Sequence, residues 1–359
     1  MIRICPTLES RRGSALIIVL FVALALSILV GSFAFDAQLE LKYALFARRR
    51  RQCEYLASSG MAIATMLMEK QRAISVNDLG ADDDRWFEAA YRLSRGQPVV
   101  GLLEPLGDGE IVLDIVPEPG RRNVNLLQEQ DWERILGNVG VPEDYWPMLI
   151  DSFFDWLDAD EQSRQDGAET DDYYNKLEPP YSAKNGVLDT VRELLLVRGF
   201  TEALLTGGIL KKEEMDPLAD SSRFQPSSRF VDTNVVWVAG IENLLTTYGD
   251  GKVNVQSAGR DVLMTLPDLD EIAAMAIIEE RGDFDAPGEE GAREPFDSVD
   301  SVFARVPGLS PELSNNITVK SEYFRITAVG RIGRVERKVW AIVHFNGRQT
   351  RFLRWYEEP

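Results

Sequence analysis

The 359-residue sequence contains one histidine, two cysteines and far fewer basic than acidic residues. A single histidine, His344, excludes motifs that need two histidines, and Cys5 and Cys53 cannot build a disulfide framework or a cysteine-based zinc finger. The net charge of −19 argues against broad binding to nucleic acid, which needs clustered cations to neutralise phosphates. An apolar fraction of 45% is ordinary for a folded chain and excludes disorder throughout.

One long uncharged segment runs from Ser14 to Phe35, directly after Arg11, Arg12 and Gly13. A helix needs about 20 apolar residues to cross a bilayer, so this segment is long enough to span one. The two arginines before it favour a cytoplasmic N-terminus. Three interpretations are open: a cleaved secretory signal peptide, an uncleaved signal anchor, and a helix that continues beyond the membrane.

Residues 36–70 favour the third interpretation, because they lack proline and scatter apolar side chains among charges. We predict one helix from Ser14 to Lys70, roughly 85 Å long at the usual rise per residue. Its first half would lie in lipid and its second half would enter a soluble domain. The charged run Arg48–Arg51 lies on that second half, either as a solvated helix face or as a contact with acidic neighbours.

Strand patterns occur on both sides of a long helical block. Residues 110–116 alternate as a strand, and 123–126 predict a second short strand. Apolar stripes at helical spacing cover 130–210, a polar linker follows over 211–230, and strands are predicted at Tyr323–Val329 and Val335–Phe345. The pattern predicts an α+β protein in which an antiparallel sheet is interrupted by a large helical insertion.

Residues 252–310 resemble paired helix-hairpin-helix units, which bind DNA backbones through glycine-rich turns. Here the first turn, Leu266 to Asp270, carries acids instead of glycine and lysine, and those acids would repel phosphate. A purely structural hairpin is favoured over a DNA-binding one.

The densest chemical signal is acidic and lies within residues 155–172, where only Arg164 offsets eight carboxylates. They are Asp155, Asp158, Asp160, Glu161, Asp166, Glu169, Asp171 and Asp172. Crowded carboxylates repel one another unless a cation intervenes, and calcium accepts six to eight oxygen ligands in flexible geometry. The spacing does not fit an EF-hand. A calcium site, a solvated acidic loop and a pair of catalytic carboxylates are all compatible with the spacing.

These features together resemble the K-type minor pseudopilins of type II secretion: a basic leader that ends in glycine, an apolar helix, and the phrase Asp155-Trp156-Leu157-Asp158-x-Asp160 followed by Gly167-Ala168-Glu169 and Tyr173-Tyr174. Pilins usually carry Glu at the fifth mature position, which is Ile18 here, and the K-type subclass commonly lacks that Glu. Ser163 stands where the family often has proline.

The resemblance implies a type IV pilin-like fold, in which a long N-terminal helix and antiparallel sheet carry an inserted helical domain of SAM-like or helix-hairpin-helix-like type. It implies a leader that is recognised through Arg11 and Arg12 and cut between Gly13 and Ser14 by the prepilin peptidase, with methylation of the new N-terminus. It also implies calcium, with Asp158, Asp160, Glu169 and Asp172 as first ligands and Asp155 and Asp171 behind them.

The implied domains divide the chain at the following boundaries. They are a leader (1–13), a membrane-spanning part of the helix (14–35), its periplasmic part (36–70), a first pilin-like α/β region (71–127), an inserted helical domain with the acidic loop (128–235), a helix-hairpin-helix-like region (236–310) and the C-terminal strands of the sheet (311–359).

The function expected from the resemblance is non-enzymatic: a subunit at the tip of the type II secretion pseudopilus that caps or initiates the fibre for protein export across the outer membrane. The expected partners are the other minor pseudopilins, the major pseudopilin, the prepilin peptidase and the inner membrane, which the chain would cross once with its C-terminal domain in the periplasm. No nucleic-acid partner is expected. The alternatives are a DNA-uptake pilin-like protein and a metal-dependent periplasmic hydrolase.

Overall fold

The computed structural model describes residues 12–71, 85–218, 235–282 and 293–358. The helices are α1 Arg12–Lys70, α2 Arg85–Ser94, α3 Glu129–Asn138, α4 Trp146–Leu157, α5 Glu202–Thr206, α6 Lys212–Met215, α7 Arg260–Leu263, α8 Glu271–Glu280 and α9 Val299–Arg305. The strands are β1 Val99–Leu106, β2 Gly109–Pro117, β3 Arg122–Asn123, β4 Gly208–Lys211, β5 Val235–Val238, β6 Leu245–Thr246, β7 Val253–Asn254, β8 Ile317–Thr318, β9 Tyr323–Ile332, β10 Val335–Phe345 and β11 Thr350–Glu357.

Helix α1 is continuous over 59 residues, which confirms the prediction of a single long helix. No proline interrupts it, and its only glycines after Gly13 are Gly31 and Gly60. From Leu16 onward it contains an 18-residue window of mean hydropathy 2.9 with no side chain buried, so it is long and apolar enough to span a membrane. Burial starts near Cys53, where the helix begins to pack against the sheet.

The main sheet has five antiparallel strands in the order β1-β2-β9-β10-β11. Alternation in β2 and β9 places Leu113 and Ala328 on one buried face, and β10 adds Val339 and Ala341 to it. Helix α1 packs on this face, which supplies most of one hydrophobic core. A long N-terminal helix on an antiparallel sheet is the pilin-like plan, so the expected fold class is confirmed.

The seam between α1 and the sheet depends on small residues. A Cβ built on Gly60 would lie 2.8 Å from the Cβ of Ala328 and 2.8 Å from a methyl group of Ile111. A Cβ on Gly330 would overlap the carbonyl oxygen of Cys53. The backbones therefore approach closely here, and larger side chains would force them apart.

A second, larger core lies between β2 and β9 in sequence. It gathers aromatic and aliphatic side chains from α3, α4 and the segments that follow, with Trp132 packed edge-on against Phe153 at a centroid distance of 4.8 Å. Short parallel pairs join each end of this insertion to its middle, with β3 paired to β6 and β8 paired to β7, and β4 pairs antiparallel with β5. The sheet is thus interrupted by helices, as the sequence predicted.

Several local predictions were wrong. Strands β1 and β11 were not predicted, since Gly101 and Pro105 break the pattern of β1 and both faces of β11 carry exposed side chains. Only Val191–Leu196 of the predicted helical stripe at 188–197 is helical, as a 3-10 helix. The predicted strand at 123–126 is β3 followed by the 3-10 helix Val124–Leu126, because the Asn123 side chain accepts from the Asn125 N–H and turns the chain.

Candidate metal centre

The acidic loop begins where α4 ends. Leu149, Phe153 and Trp156 bury one stripe of this helix in the larger core, which fixes the helix against the insertion. Asp158 follows the last turn in an extended conformation, and its N–H still donates to the carbonyl oxygen of Phe154. The core therefore holds the start of the loop in a set position.

Asp155, in the last turns of α4, is fully buried and holds the loop through hydrogen bonds to its backbone. Its carboxylate accepts backbone hydrogen bonds from Arg164 at 3.1 Å and from Ala168 at 2.8 Å. A Cβ on Gly167 would overlap Asp155 Oδ2, so only glycine fits at that point of the turn. These contacts fold the chain back and bring Glu169 to the helix end.

Three of the predicted ligands meet as a result. Asp158, Asp160 and Glu169 each offer a carboxylate oxygen, and the three atoms lie within 4.8 Å of one another. Asp160 is exposed, Asp158 is half-buried, and Glu169 is 1% exposed. The cluster is therefore buried at Glu169 and accessible to solvent at Asp160.

The buried oxygens of this cluster lack a hydrogen-bond partner in the described part of the chain. Both carboxylate oxygens of Glu169 and Oδ1 of Asp158 are buried and unpartnered among the described residues. Burial, followed by the charges of Asp155, Glu161 and Asp158, raises the pKa of Glu169 to about 7. Burial, followed by the charge of Asp160, also raises the pKa of Asp158. An unpaired buried carboxylate is costly, and a cation would relieve that cost.

The other predicted ligands have different contacts. Asp172 Oδ1 accepts from the Glu169 N–H at 2.8 Å, and its Oδ2 accepts from the Ser163 hydroxyl. Asp171 is exposed and accepts from the Asn175 amide at 3.2 Å. Asp155 is occupied by the loop backbone, although burial still raises its pKa to about 6. The structure thus brings together Asp158, Asp160 and Glu169, places Asp172 and Asp155 where they hold the loop, and leaves Asp171 exposed outside the cluster.

Asn185 contacts the same loop and was missed by the sequence reasoning. Its side-chain amide donates to the carbonyl oxygen of Asp160 at 3.2 Å and to Glu161 at 3.0 Å. Among the described residues its own side-chain oxygen is buried and unpartnered, and its backbone adopts a φ of 49°. An asparagine oxygen is a ligand type that calcium accepts, yet a lone asparagine well beyond the acidic run carries no sequence signal.

The chemistry of this donor set fits calcium. The three converging atoms are all carboxylate oxygens. Hard cations prefer such oxygens, and calcium tolerates an irregular loop better than magnesium does. When bound, the ion would supply positive charge that joins the end of α4 to residues 160 and 169. The arrangement of ligands points to cross-linking of the fold.

The other two predicted sites can be placed in part. The Gly13–Ser14 bond lies inside α1, whereas Arg11 lies outside the described residues. In the α7–α8 hairpin, Asp270 caps α8 by accepting from the Ala273 N–H. Glu271 pairs with Arg260 at 3.1 Å. Asp270 is thus used to cap the hairpin. Glu271 neutralises Arg260, a cation of the kind that DNA binding would require.

Comparisons with known proteins agree on one family. The family description "Type II secretion system (T2SS), protein K" matches residues 113–207, the part that contains the acidic loop. The type II secretion system protein K of Pseudomonas aeruginosa is 24% identical over 335 residues, which cover 90% of this chain and 86% of that protein.

The fold also matches a solved structure. A chain in the crystal structure of the GspK-GspI-GspJ complex from the enterotoxigenic Escherichia coli type 2 secretion system superposes with a TM-score of 0.53 at 14% identity, over 90% of this chain and 99% of that one. The chain is therefore similar to the protein K family of type II secretion. The resemblance that the leader, the apolar helix and the acidic phrase indicated is thereby confirmed.

The similarity extends well beyond the matched segment at 113–207. The alignment with the Pseudomonas relative covers 90% of this chain. In this chain the segment that matches the family description begins in β2 and continues into the insertion between β2 and β9.

Proposed function

We propose that the chain is a non-enzymatic subunit at the tip of the type II secretion pseudopilus, where it caps or initiates the fibre. The observation that carries this proposal is the long helix α1, whose N-terminal half exposes large apolar side chains. Residues 16–51 of the helix precede the point where burial begins, and their large apolar side chains are 40–76% exposed. Such a surface needs lipid before assembly and neighbouring helices afterwards.

The part of the chain that follows the exposed half of α1, here called the head, supports a position at the end of the fibre. A pilin-like sheet alone would leave room for a further subunit above it, whereas here the chain adds a second core larger than the first. In the matched E. coli crystal structure, a K-type protein forms a complex with GspI and GspJ. We extend that assembly to this chain and expect I- and J-type minor pseudopilins as direct partners, with the major pseudopilin below them.

The membrane route follows from the same helix. The precursor would cross the inner membrane once, with the head in the periplasm, and a prepilin peptidase would cut between Gly13 and Ser14. Cleavage would release the helix for lateral packing, with methylation of the new terminal amine. Fifth-position Ile18 keeps a carboxylate out of the lipid, where an unpaired one is costly.

The calcium ion would have a structural role in this subunit. Asp158, Asp160 and Glu169 would hold it, and Asp172 would orient the loop through the Glu169 N–H. Binding to the folded state alone stabilises that state by mass action. The oxygens of Glu169 and Asp158 that lack a partner among the described residues support this assignment.

Co-purification tests the assembly role. The full chain, expressed in membranes with I- and J-type pseudopilins, should be isolated as a complex with both. The matched control exchanges Leu20, Leu24 and Ile28 for Ser on the exposed part of α1, which should reduce recovery of the partners while the head stays folded. Isolation of the intact chain alone, at partner levels no higher than in the control, would contradict the proposal.

A further inference from the structure

A cavity of about 310 Å³ lies on the face of the main sheet that points away from α1. The sheet contributes three positions in one row across neighbouring strands, because Arg325 of β9 and Arg354 of β11 both pair with Ile342 of β10. The opposite wall comes from the insertion, at residues 190–192 and 242–248. The cavity therefore lies at the junction of the pilin-like sheet and the inserted domain.

The charges that line this cavity do not balance. Four arginines meet two glutamates, and they are Arg121, Arg192, Arg325 and Arg354 against Glu118 and Glu242. In a chain with an overall charge of −19, an excess of cations around one cavity is opposite to the composition. No sequence pattern indicates this cluster, since its residues are far apart in the chain.

Both glutamates are already engaged. Glu118 accepts two hydrogen bonds from Arg325, at 2.9 and 3.1 Å, and lies 3.6 Å from Arg121. Glu242 faces Arg192 at 3.4 Å, and that arginine also pairs with a glutamate outside the cavity, Glu202. Neither acid is left to neutralise a further cation.

Arg354 is the cation without a counter-ion. It donates no hydrogen bond and forms no ion pair within the described part of the chain, and it lies at a half-buried position of a largely exposed strand. The acid on which its charge acts, Asp189, is already bound by Lys184 at 2.7 Å. Arg121 shares Glu118 with Arg325: burial lowers the pKa of Arg121, the charge of Glu118 counters this, the like charge of Arg325 lowers it further, and the charge of Glu242 raises it.

The cavity also offers apolar surface beside the cations. The guanidinium group of Arg325 lies over the Trp340 ring at 5.3 Å, and Ile342 and Tyr248 complete that side. Arginine presents a planar fork of donors that matches a carboxylate, and the apolar floor suits the methylene stem of an acidic side chain. Strand β11, which contributes Arg354 to the lining, has β10 as its one neighbour among the described strands of the sheet.

We propose that this cavity binds an acidic side chain of a polypeptide segment, with Arg354 and Arg121 as its cationic contacts. The site is separate from the acidic loop and would receive the opposite charge. The proposal does not rest on the function assigned above, because it follows from the cavity, its excess of arginines over glutamates and the unpaired position of Arg354 among the described residues.

Calorimetric titration of the full chain in detergent micelles tests the site. The probes are a short peptide of alternating Glu and Val, the same peptide with Gln in place of Glu, and inorganic phosphate. The variant Arg354→Gln removes the unpaired cation, and Arg351→Gln is the matched control on the same strand outside the cavity. Thermal melting of each variant checks that the fold is kept, as expected for side chains without a hydrogen bond to the described residues.

The Glu peptide should bind saturably, and the Gln peptide should not. Arg354→Gln should weaken the binding about 10- to 100-fold, as expected for the loss of a hydrogen bond to a charged group, while Arg351→Gln leaves it unchanged. Absence of saturable binding, or equal weakening by both variants, would overturn the site. Phosphate binding that needs Arg354, without binding of the Glu peptide, would overturn the polypeptide as its ligand.

Discussion

At the scale of single residues, Glu169 holds a buried carboxylate that nothing in the described protein satisfies. Its burial at 1% exposure and its raised pKa have one cause, the desolvation of a charge near other carboxylates. The same residue is therefore unfavourable in the metal-free fold and favourable once a cation is bound. The calcium assignment therefore predicts that removing the Glu169 charge changes stability in opposite directions without and with calcium.

Glu169→Gln should have opposite effects with and without calcium. In excess chelator the variant should be as stable as the parent or more stable, because an unpaired buried charge is gone. In calcium, the parent should gain about 2.7 kcal/mol at a hundredfold excess over its Kd, and the variant should not. Thermal melting in calcium and in chelator measures both effects.

Asp171→Asn is the matched control for that experiment, since Asp171 lies nearby and is exposed outside the cluster. Its melting should respond to calcium as the parent does. A calcium response in Glu169→Gln equal to that of the parent would exclude Glu169 as a ligand.

Gly167 offers a second test at the scale of residues. Gly167→Ala would drive a methyl group into Asp155 Oδ2 and should destabilise the fold by about 1–3 kcal/mol through overpacking. Gly186→Ala is the control, as its Cβ would meet no described atom closer than 3.9 Å. Urea unfolding compares the two, and equal midpoints would contradict the account of the loop.

At the scale of elements, α1 and the main sheet are joined by glycine and alanine. Gly60→Ala should destabilise the head, although alanine is the better helix former by about 1 kcal/mol. The reason is contact with Ala328 and Ile111 at 2.8 Å. Gly31→Ala lies in the same helix with no described atom within 4 Å and should not destabilise. Thermal melting in micelles compares the two variants. Equal melting temperatures would contradict close packing of α1 on the sheet at Gly60.

The junction between sheet and insertion depends on Glu118, which bonds to Arg325 of β9 and to Thr246 of β6. Burial alone would raise the pKa of Glu118, but the hydrogen bond and charge of Arg325, followed by Arg121 and Thr246, lower it below its ordinary value of 4.5. A carboxylate with a lowered folded-state pKa stabilises the fold above its unfolded-state pKa. That contribution is lost as the pH falls through the folded-state pKa.

Glu118→Gln should therefore cost about 1–3 kcal/mol at neutral pH, because it leaves two half-buried arginines without their anion. The stability difference between variant and parent should narrow as the pH falls below about 4.5. Urea unfolding from neutral to acidic pH measures this. A difference that stays constant over the range would show that Glu118 is not a charged partner in the folded protein.

The sequence was informative where one pattern dominated an element. Unbroken helical residues predicted α1, and clean alternation predicted β2, β9 and β10. The prediction missed β1 and β11 because these edge strands are largely exposed on both faces. Their sequences therefore do not alternate between apolar and polar residues. The acidic run indicated a cation site, but the spacing could not show that Asp155 would bond to the loop backbone, or that Asn185 would approach from a distance.

At the scale of the whole molecule, two cores share one chain. The smaller core lies between the main sheet and the C-terminal half of α1, whose N-terminal half is apolar and exposed. The larger core belongs to the insertion, which contains two short parallel strand pairs. This division is what the proposed tip position requires, because it combines an apolar helix with a large head. It also places the arginine-lined cavity at the joint between the two parts.

The central claim is that the long helix is trimmed at its inner end before it assembles with its neighbours. Intact-mass and N-terminal peptide mass spectrometry of the membrane-extracted protein tests it most directly. We predict a mature chain that begins at Ser14, and a Gly13→Ala variant that stays uncut. A native chain that begins at Met1, or one shortened to the end of the apolar segment near Phe35, would contradict the account.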